Sequence, residues 1–234
     1  MSLLNFVVNP FFFLLIFLSG CAKNVGINKD INHNEKELDP LERVNRCIFV
    51  LNRFLDMTIL KPVAAVYDKV VPMPIKKCGR RIVCNIKTPI YMINYGLQGE
   101  GQKMSESMAS FIINSTLGIG GLADPAKDVG LHNDTTGFSD TLKRWGVERG
   151  PYIMLPVLGP TTLRGVIGYG VDIVLDPLFW WDDYRYIGYV TTAYNFIDKR
   201  ANLLETTEDI EKTSHNLYVT LRSLYKQKFL KNEQ

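Results

Sequence analysis

The chain is poor in the residues that catalysis and metal binding draw on. Its 234 residues include three histidines and four cysteines. His33, His132 and His215 share no ligand spacing with any cysteine, so metal binding finds no support. Also missing are a Gly-x-Ser-x-Gly elbow, a His-Glu-x-x-His helix and a glycine loop able to cradle phosphate. Ser139, Asp140 and the distant His132 form a nominal hydrolase trio of a kind that arises by chance in most chains. The expectation is a protein without catalytic residues, metal or cofactor. A formal net charge of +3 is too slight a positive balance for a nucleic-acid partner.

Long apolar runs are scarce too. The nearest candidate after Cys21, from Val171 to Trp181, is broken by Asp172, Asp176 and Pro177, whereas a membrane-spanning helix needs about 20 apolar residues. Any contact with lipid would come from helices lying flat or packed into a closed ring. The one apolar stretch of note is Leu3 to Leu18, interrupted by Asn5, Asn9 and Pro10 and ending in Leu18, Ser19, Gly20 and Cys21. That ending is a lipobox, and residues 1–20 read as a bacterial export signal, although residues 2–20 lack the usual Lys or Arg. Cys21 is the expected lipidation site. Residue 22 is Ala rather than the Asp typical of lipoproteins kept in the inner membrane, which points to the outer membrane. Acyl chains at about 0.8 kcal/mol per buried methylene would hold it there durably.

With Cys21 committed to lipid, Cys47, Cys78 and Cys84 remain, an odd set that cannot close a disulfide framework. Cys78 and Cys84, on one helix, would point about 120° apart. Residues 22–37 are polar, without an apolar period, and read as a disordered tether. It would span on the order of 20 Å, so the folded part should sit at or in the membrane surface.

From Asp39 onward apolar residues recur at helical spacing. Val44, Cys47, Ile48, Leu51, Phe54 and Leu55 would line one face of a first helix, opposite Asn45, Asn52, Arg53 and Asp56. Asp39 is its expected cap, with Pro40 in the first turn. Prolines 62, 72, 74, 89, 125, 151, 156, 160 and 177 should punctuate the rest into helix-sized pieces. Met104, Met108, Phe111 and Ile112 mark one of these. Leu163, Val166, Ile167, Val171, Val174 and Leu175 mark another, and Ile210, Leu217, Leu221 and Leu224 a helical tail. Strand-like alternation is scarce, and the expected class is all-α.

Residues 74–99 carry Lys76, Lys77, Arg80, Arg81 and Lys87 and no acidic side chain. On a helix these cations fall within about 140° of one another, with Ile75, Ile82, Val83, Ile86 and Ile90 opposite. Such a face suits an anionic lipid surface at about 1 kcal/mol per cation, or is an ordinary solvated face. Trp180, Trp181, Tyr184, Tyr186 and Tyr189 beside Asp182, Asp183 and Arg185 are a mix favoured where apolar and aqueous layers meet. Gly165, Gly168 and Gly170 cost about 1 kcal/mol each in a helix, which close approach of another backbone or a lipid chain would justify.

Several blocks of the chain, in order, resemble one family. Asp39, Pro40, Leu41, Glu42, Asn45 and Arg46 come first, then Lys61, Pro62 and Val63, then Asn94, Tyr95, Leu97, Gln98 and Gly99. Asn114, Ser115, Thr116, Leu117, Gly118, Gly120, Gly121, Asp124 and Ala126 follow. The longest block runs from Phe138 through Thr141, Leu142, Trp145, Gly146, Val147, Gly150, Pro151, Tyr152, Leu155, Pro156, Gly159, Thr162, Leu163 and Arg164, and Asp172, Asp176 and Pro177 continue it. Together, over roughly residues 39–180, these resemble the MlaA (VacJ) outer-membrane lipoproteins, which maintain lipid asymmetry. Glu148 stands where relatives often carry Gly, and the C-terminal tail matches weakly.

The resemblance implies a ring of amphipathic helices in the inner leaflet of the outer membrane, facing the periplasm, with an amphipathic central channel. Misplaced phospholipid would pass through it to a soluble periplasmic, MlaC-like carrier, beside trimeric porins. It implies a channel loop at Trp145, Gly146, Val147, Gly150, Pro151 and Tyr152, which would act as the gate. The basic residues Lys76, Lys77, Arg80, Arg81 and Lys87 would meet headgroups or the carrier. The expected organisation is a signal at 1–20, a lipidated tether at 21–38, a helical channel domain at 39–205 and a helical tail at 206–234. A scaffold lipoprotein without transport, or a lipid hydrolase using Ser139, would be the alternatives.

Overall fold

The computed structural model describes residues 39–131, 134–180 and 182–231; the expected signal, Cys21 and the tether lie outside them. The chain divides into two compact units. One takes the described residues up to Asp56, Gly150–Leu163 and those from Ser214; the other takes Met57–Arg149 and Arg164–Thr213.

In the first unit, helix α1 (Glu42–Leu55) carries Glu42 in its first turn and Arg53 in its last, signs that complement the helix dipole. It begins later than the sequence predicts, with Leu41 at the cap position. Asp39 is instead buried. Its carboxylate accepts Asn45 Nδ2 at 2.7 Å, the Tyr218 hydroxyl, and Arg222 at 3.5 Å. The expected buried face is also only partly right: Ile48 is buried, but so is Asn45, while Val44 and Phe54 are exposed.

The reason is a hairpin of β1 (Tyr152–Leu155) and β2 (Gly159–Thr162), paired antiparallel from Tyr152↔Thr162 to Leu155↔Gly159. A lone two-stranded hairpin is marginal in water. Asn45 donates to Tyr152 O at 3.1 Å and accepts Met154 N at 2.8 Å. Two turns on, Asn52 donates to Leu155 O at 2.9 Å and accepts Val157 N at 2.7 Å. The two amides thus act as a third strand, pairing groups that would otherwise be orphaned. Strands of four residues are too short for alternation to show. Helix α11 (Leu217–Lys231) supplies Tyr218 to a core with Ile48, Tyr152 and Met154, so residues of the expected tail belong to this unit.

The second unit is helical: α2 (Lys61–Val70), α3 (Met73–Leu97), α4 (Gly101–Thr116), α5 (Pro125–Asp128), α6 (Phe138–Arg144), α7 (Leu163–Leu175, from Arg164), α8 (Pro177–Trp180), α9 (Arg185–Asn202) and α10 (Leu204–Thr213). Asp56–Leu60, between α1 and α2, has π-helical hydrogen bonding. Prolines begin α2, α3, α5 and α8 as punctuation predicts, but Pro89 lies inside α3. Thr88 beside it is fully buried and donates to Cys84 O at 2.9 Å.

The polarity of the packing is inverted. The largest fully buried side chains among the described residues are Met154, Asn45, Asn94, Thr88, Thr141, Ser107 and Ser110, while Val66, Val70, Ile119 and Trp180 are 62%, 70%, 74% and 68% exposed. In water a fold hides its aliphatics first; small polar residues inside with apolar residues outside is the pattern of helices packed in lipid. No described helix is long and apolar enough to cross a membrane.

Candidate functional site

Helix α3 does not present its cations as one solvated face. Side chains four apart share a face, so the 76/80 pair and the 77/81 pair point differently. Lys76 is buried, with Nζ 2.6 Å from Asp68 Oδ1 and 5.3 Å above the Tyr67 ring. Arg80 grips Asp198 bidentately, Nε to Oδ2 at 2.7 Å and Nη2 to Oδ1 at 3.0 Å. Tyr67 donates to Asp198 Oδ1 at 3.1 Å, and Tyr194 donates to Lys76 O at 2.9 Å. Burial, then bonds to Tyr194 and Asp198, push the Tyr67 phenol well above its ordinary range. Lys76 and Arg80 therefore brace α3 against α2 and α9, which corrects the expectation of five exposed cations. Lys77 and Arg81 are exposed. Lys87 is half-buried; burial and Lys199 hold its ammonium below the usual lysine range against the pull of Asp176 and Asp172.

The C-terminal end of α3 enters a buried polar knot. Asn94 Nδ2 donates to Asp172 Oδ1 at 3.0 Å, and Asn94 Oδ1 accepts Thr141 Oγ1 at 2.8 Å. Gln98 donates to Thr136 and Thr141, each at 3.0 Å, and Phe138 N donates to Asp172 Oδ1 at 3.0 Å. Burial raises the Asp172 carboxyl above its usual range despite the opposing bonds from Asn94 and Phe138 N. Nearby, Gly168 of α7 meets α6 closely: a Cβ there would stand 2.6 Å from Ser139 N. Close backbone approach thus accounts for Gly168, and Ser139 is a packing residue there. Gly170 has open space instead. A second knot ties α4 to the start of α5, where Asn114 donates to Asp124 Oδ1 at 2.9 Å and accepts Ala126 N at 3.1 Å.

The expected channel loop, from Trp145 to Tyr152, is anchored at several points. Val147 N donates to Leu142 O at 2.9 Å and Gly146 N to Lys143 O at 3.0 Å, with Gly146 at φ +82°. This is a Schellman stop for α6, so Gly146 has a helix-ending role. Trp145 is exposed, donates Nε1 to Leu97 O at 3.0 Å and meets Phe138 edge-on at 5.7 Å. Arg164 donates Nη1 to Val147 O at 2.9 Å and its backbone N to Arg149 O at 3.0 Å. In the first unit, Gly150 sits at φ +70°, and a Cβ there would lie 2.9 Å from Leu163 Cβ. Pro151 O accepts Leu163 N at 3.2 Å. Tyr152 is a buried strand residue rather than loop, because its ring joins those of Tyr218 and Tyr225 at 6.4 and 5.6 Å.

Among the described residues no group of His, Cys, Asp or Glu is arranged to hold a metal, and Cys47, Cys78 and Cys84 are present as thiols. His132 and Trp181 lie outside the described residues. Trp180, Tyr184, Tyr186 and Tyr189 are all exposed, as a water–lipid boundary would use them. The asparagine clamps were missed as contacts, because periodicity treats a polar residue as surface. Asn45, Asn94 and Asn114 nevertheless lie inside the blocks that carried the family resemblance.

Residues 37–231 match the family described as MlaA lipoprotein, including the C-terminal helix that the sequence blocks matched weakly. An uncharacterised protein of Rickettsia conorii is 34% identical over 228 residues, 90% of each chain. A Haemophilus influenzae protein named intermembrane phospholipid transport system lipoprotein MlaA is 32% identical over 220 residues, covering 91% of this chain and 84% of that one. A solved structure, described as the structural basis for maintenance of bacterial outer membrane lipid asymmetry, superposes with a TM-score of 0.68 at 31% identity, over 81% of this chain and 96% of that one.

Proposed function

The chain belongs to the MlaA lipoprotein family, and from that membership we propose that it is an outer-membrane lipoprotein, anchored through Cys21, that removes misplaced phospholipid from the outer leaflet. Lipid passes through an amphipathic channel to a soluble periplasmic carrier, with trimeric porin as the neighbour. The observation that carries this reading is the inverted polarity: Asn94, Thr88, Thr141, Ser107 and Ser110 are buried while Val66, Val70 and Trp180 face outward.

The physical problem is one of passage rather than reaction. Two acyl chains hold some thirty methylenes, so release to water costs on the order of 20 kcal/mol at about 0.8 kcal/mol each. Flipping drags a headgroup across about 30 Å of hydrocarbon with no polar partner. A channel with a polar lining and apolar walls would lower the second barrier without exposing the chains to water. No bond breaks, so no catalytic group is needed. Lys77 and Arg81, exposed on α3, are the cations placed to meet headgroups or the carrier, while Lys76 and Arg80 hold the helix in place. The segment from Trp145 to Arg149 is the proposed gate, and its opening requires the bonds to Leu97 O and Arg164 to part.

The test is native mass spectrometry of the protein extracted in mild detergent, alongside outer-leaflet phospholipid in a deletion strain. Bound phospholipid, and restored asymmetry on re-expression, are expected. A lipid-free protein whose loss leaves the outer leaflet unchanged would instead make it a scaffold.

A further inference from the structure

Asp39 is the first described residue after the expected tether, and its side chain is wholly buried. Desolvating a carboxylate is costly, and a buried ion pair is a weak source of stability. What such a group does well is exclude alternative arrangements, as when a buried polar residue fixes register. The arrangement that Asp39 selects is that of the Asn45 amide.

Asn45 has two chemically different ends, a donor Nδ2 and an acceptor Oδ1, and the first unit uses both. Nδ2 donates to Asp39 Oδ1 at 2.7 Å and to Tyr152 O at 3.1 Å, while Oδ1 accepts Met154 N at 2.8 Å. Turned over, the amide would set donor against donor at Met154 N and acceptor against acceptor at Tyr152 O and Asp39. The carboxylate offers acceptors only, so it holds Asn45 in the one orientation that pairs with β1. Asp39 Oδ2 is held in turn by α11, where it accepts the Tyr218 hydroxyl and Arg222 Nη1, the latter at 3.5 Å. Arg222 also lies 3.8 Å from Glu42, and the Arg46 guanidinium stands 4.5 Å above the Tyr218 ring. The hairpin turn needs such support: Val157 is β-branched at φ +66°, a strained conformation for that kind of side chain.

We propose that Asp39 is a positioning residue for the gate. Acting through Asn45 it fixes β1, which is separated from Arg149 only by Gly150 and Pro151, and α11 is the strap that keeps the carboxylate in place. The proposal rests on the transport reading and deepens it. The Trp145–Arg149 loop moves against an end that the hairpin holds still, so slackening the hairpin impairs lipid clearance.

The test follows hydrogen exchange of the full-length lipidated protein in dodecyl maltoside, for peptides covering Tyr152–Thr162 and, as reference, α3. Surface phospholipid is measured in the same strains. Asp39→Ala removes the acceptor, whereas Asp39→Asn keeps a side-chain oxygen for Asn45 Nδ2. In Asp39→Ala the hairpin should exchange about tenfold faster, as loss of a charge-assisted bond allows, with α3 unchanged and surface phospholipid raised. Asp39→Asn should return both towards wild type. Tyr218→Phe keeps the ring in the core and deletes only the hydroxyl. It should speed hairpin exchange by a few fold and decides the matter by the same criteria if Asp39→Ala fails to accumulate. Unchanged hairpin exchange, acceleration shared equally by α3, equal opening in Asp39→Asn, or an opened hairpin with normal clearance each overturns the proposal. The transport reading fails separately: a deletion strain with unchanged surface phospholipid would sink it, and the exchange measurements would still decide whether Asp39 fixes β1.

Discussion

Asp172 shows how one residue can serve both a fold and a titration. Its Oδ1 accepts both Asn94 Nδ2 and Phe138 N at 3.0 Å, so Asp172→Asn keeps an acceptor for both while Asp172→Ala keeps none. The alanine variant should lose about 1–3 kcal/mol, the cost of stranding buried donors. Because burial raises this carboxyl above its usual range, its protonated form suits the fold. Its contribution is complete below the ordinary carboxylate pKa and declines as pH rises through the raised value. Between pH 7 and pH 4 the wild type should therefore gain melting temperature relative to Asp172→Asn, and thermal melts in detergent would show it. A wild type that instead loses melting temperature relative to Asp172→Asn on acidification would mean that Asp172 is held ionised. Tyr152 offers a contrast: its buried hydroxyl has no hydrogen-bond partner among the described residues, and burial pushes the phenol above its usual range. Tyr152→Phe should raise stability by about 1 kcal/mol and leave lipid clearance unchanged, since the ring works in the core. Loss of clearance in that variant would restore Tyr152 to the gate.

Among elements, the Trp145–Arg149 loop decides whether gating belongs to this chain. Glycine variants are a blunt probe, because Gly146 at φ +82° ends α6 and a side chain in that conformation costs about 1–2 kcal/mol by itself. Trp145→Phe is cleaner. It keeps an aromatic ring against Phe138 and deletes the bond from Nε1 to Leu97 O, worth about 0.5–1.5 kcal/mol. If the loop gates lipid, this variant should accumulate to wild-type level yet change the amount of phospholipid on the cell surface. Unchanged surface phospholipid would remove the loop from the mechanism. This element also shows where sequence stops informing structure. Helices announced by apolar period, such as α4 and α7, are present where they were expected. The hairpin was invisible, because its strands hold four residues each and are stabilised by Asn45 and Asn52 from over 100 positions away. The basic face misled for a related reason: angular position on α3 was right, but Asp68 and Asp198, which cover Lys76 and Arg80, sit on other helices.

For the whole molecule, the question is what covers its apolar exterior. Val50, Phe54, Val66, Val70, Leu117, Ile119 and Val190 are all exposed, and fully burying such a side chain is worth about 1.5–3 kcal/mol each. Either the protein is tethered above the membrane with an unfavourable surface, or its helices themselves lie in lipid. The two differ once the anchor is removed. A chain carrying Cys21→Ser behind an ordinary secretory signal has no acyl chains; a tethered protein would become soluble in the periplasm, whereas an embedded one would stay with the outer membrane through alkaline carbonate washing. Retention is the expected result. Lysine at an exterior position sharpens it: Val66→Lys should be nearly neutral for a water-facing residue, but costs about 2.5–3.5 kcal/mol on the insertion scale if that position lies deep in hydrocarbon. The anchorless Val66→Lys protein should then leave the membrane more readily than its parent while melting at the same temperature in detergent. Complete release of the anchorless parent by carbonate would show that lipid does not cover this surface, and the inverted polarity would need another partner to explain it.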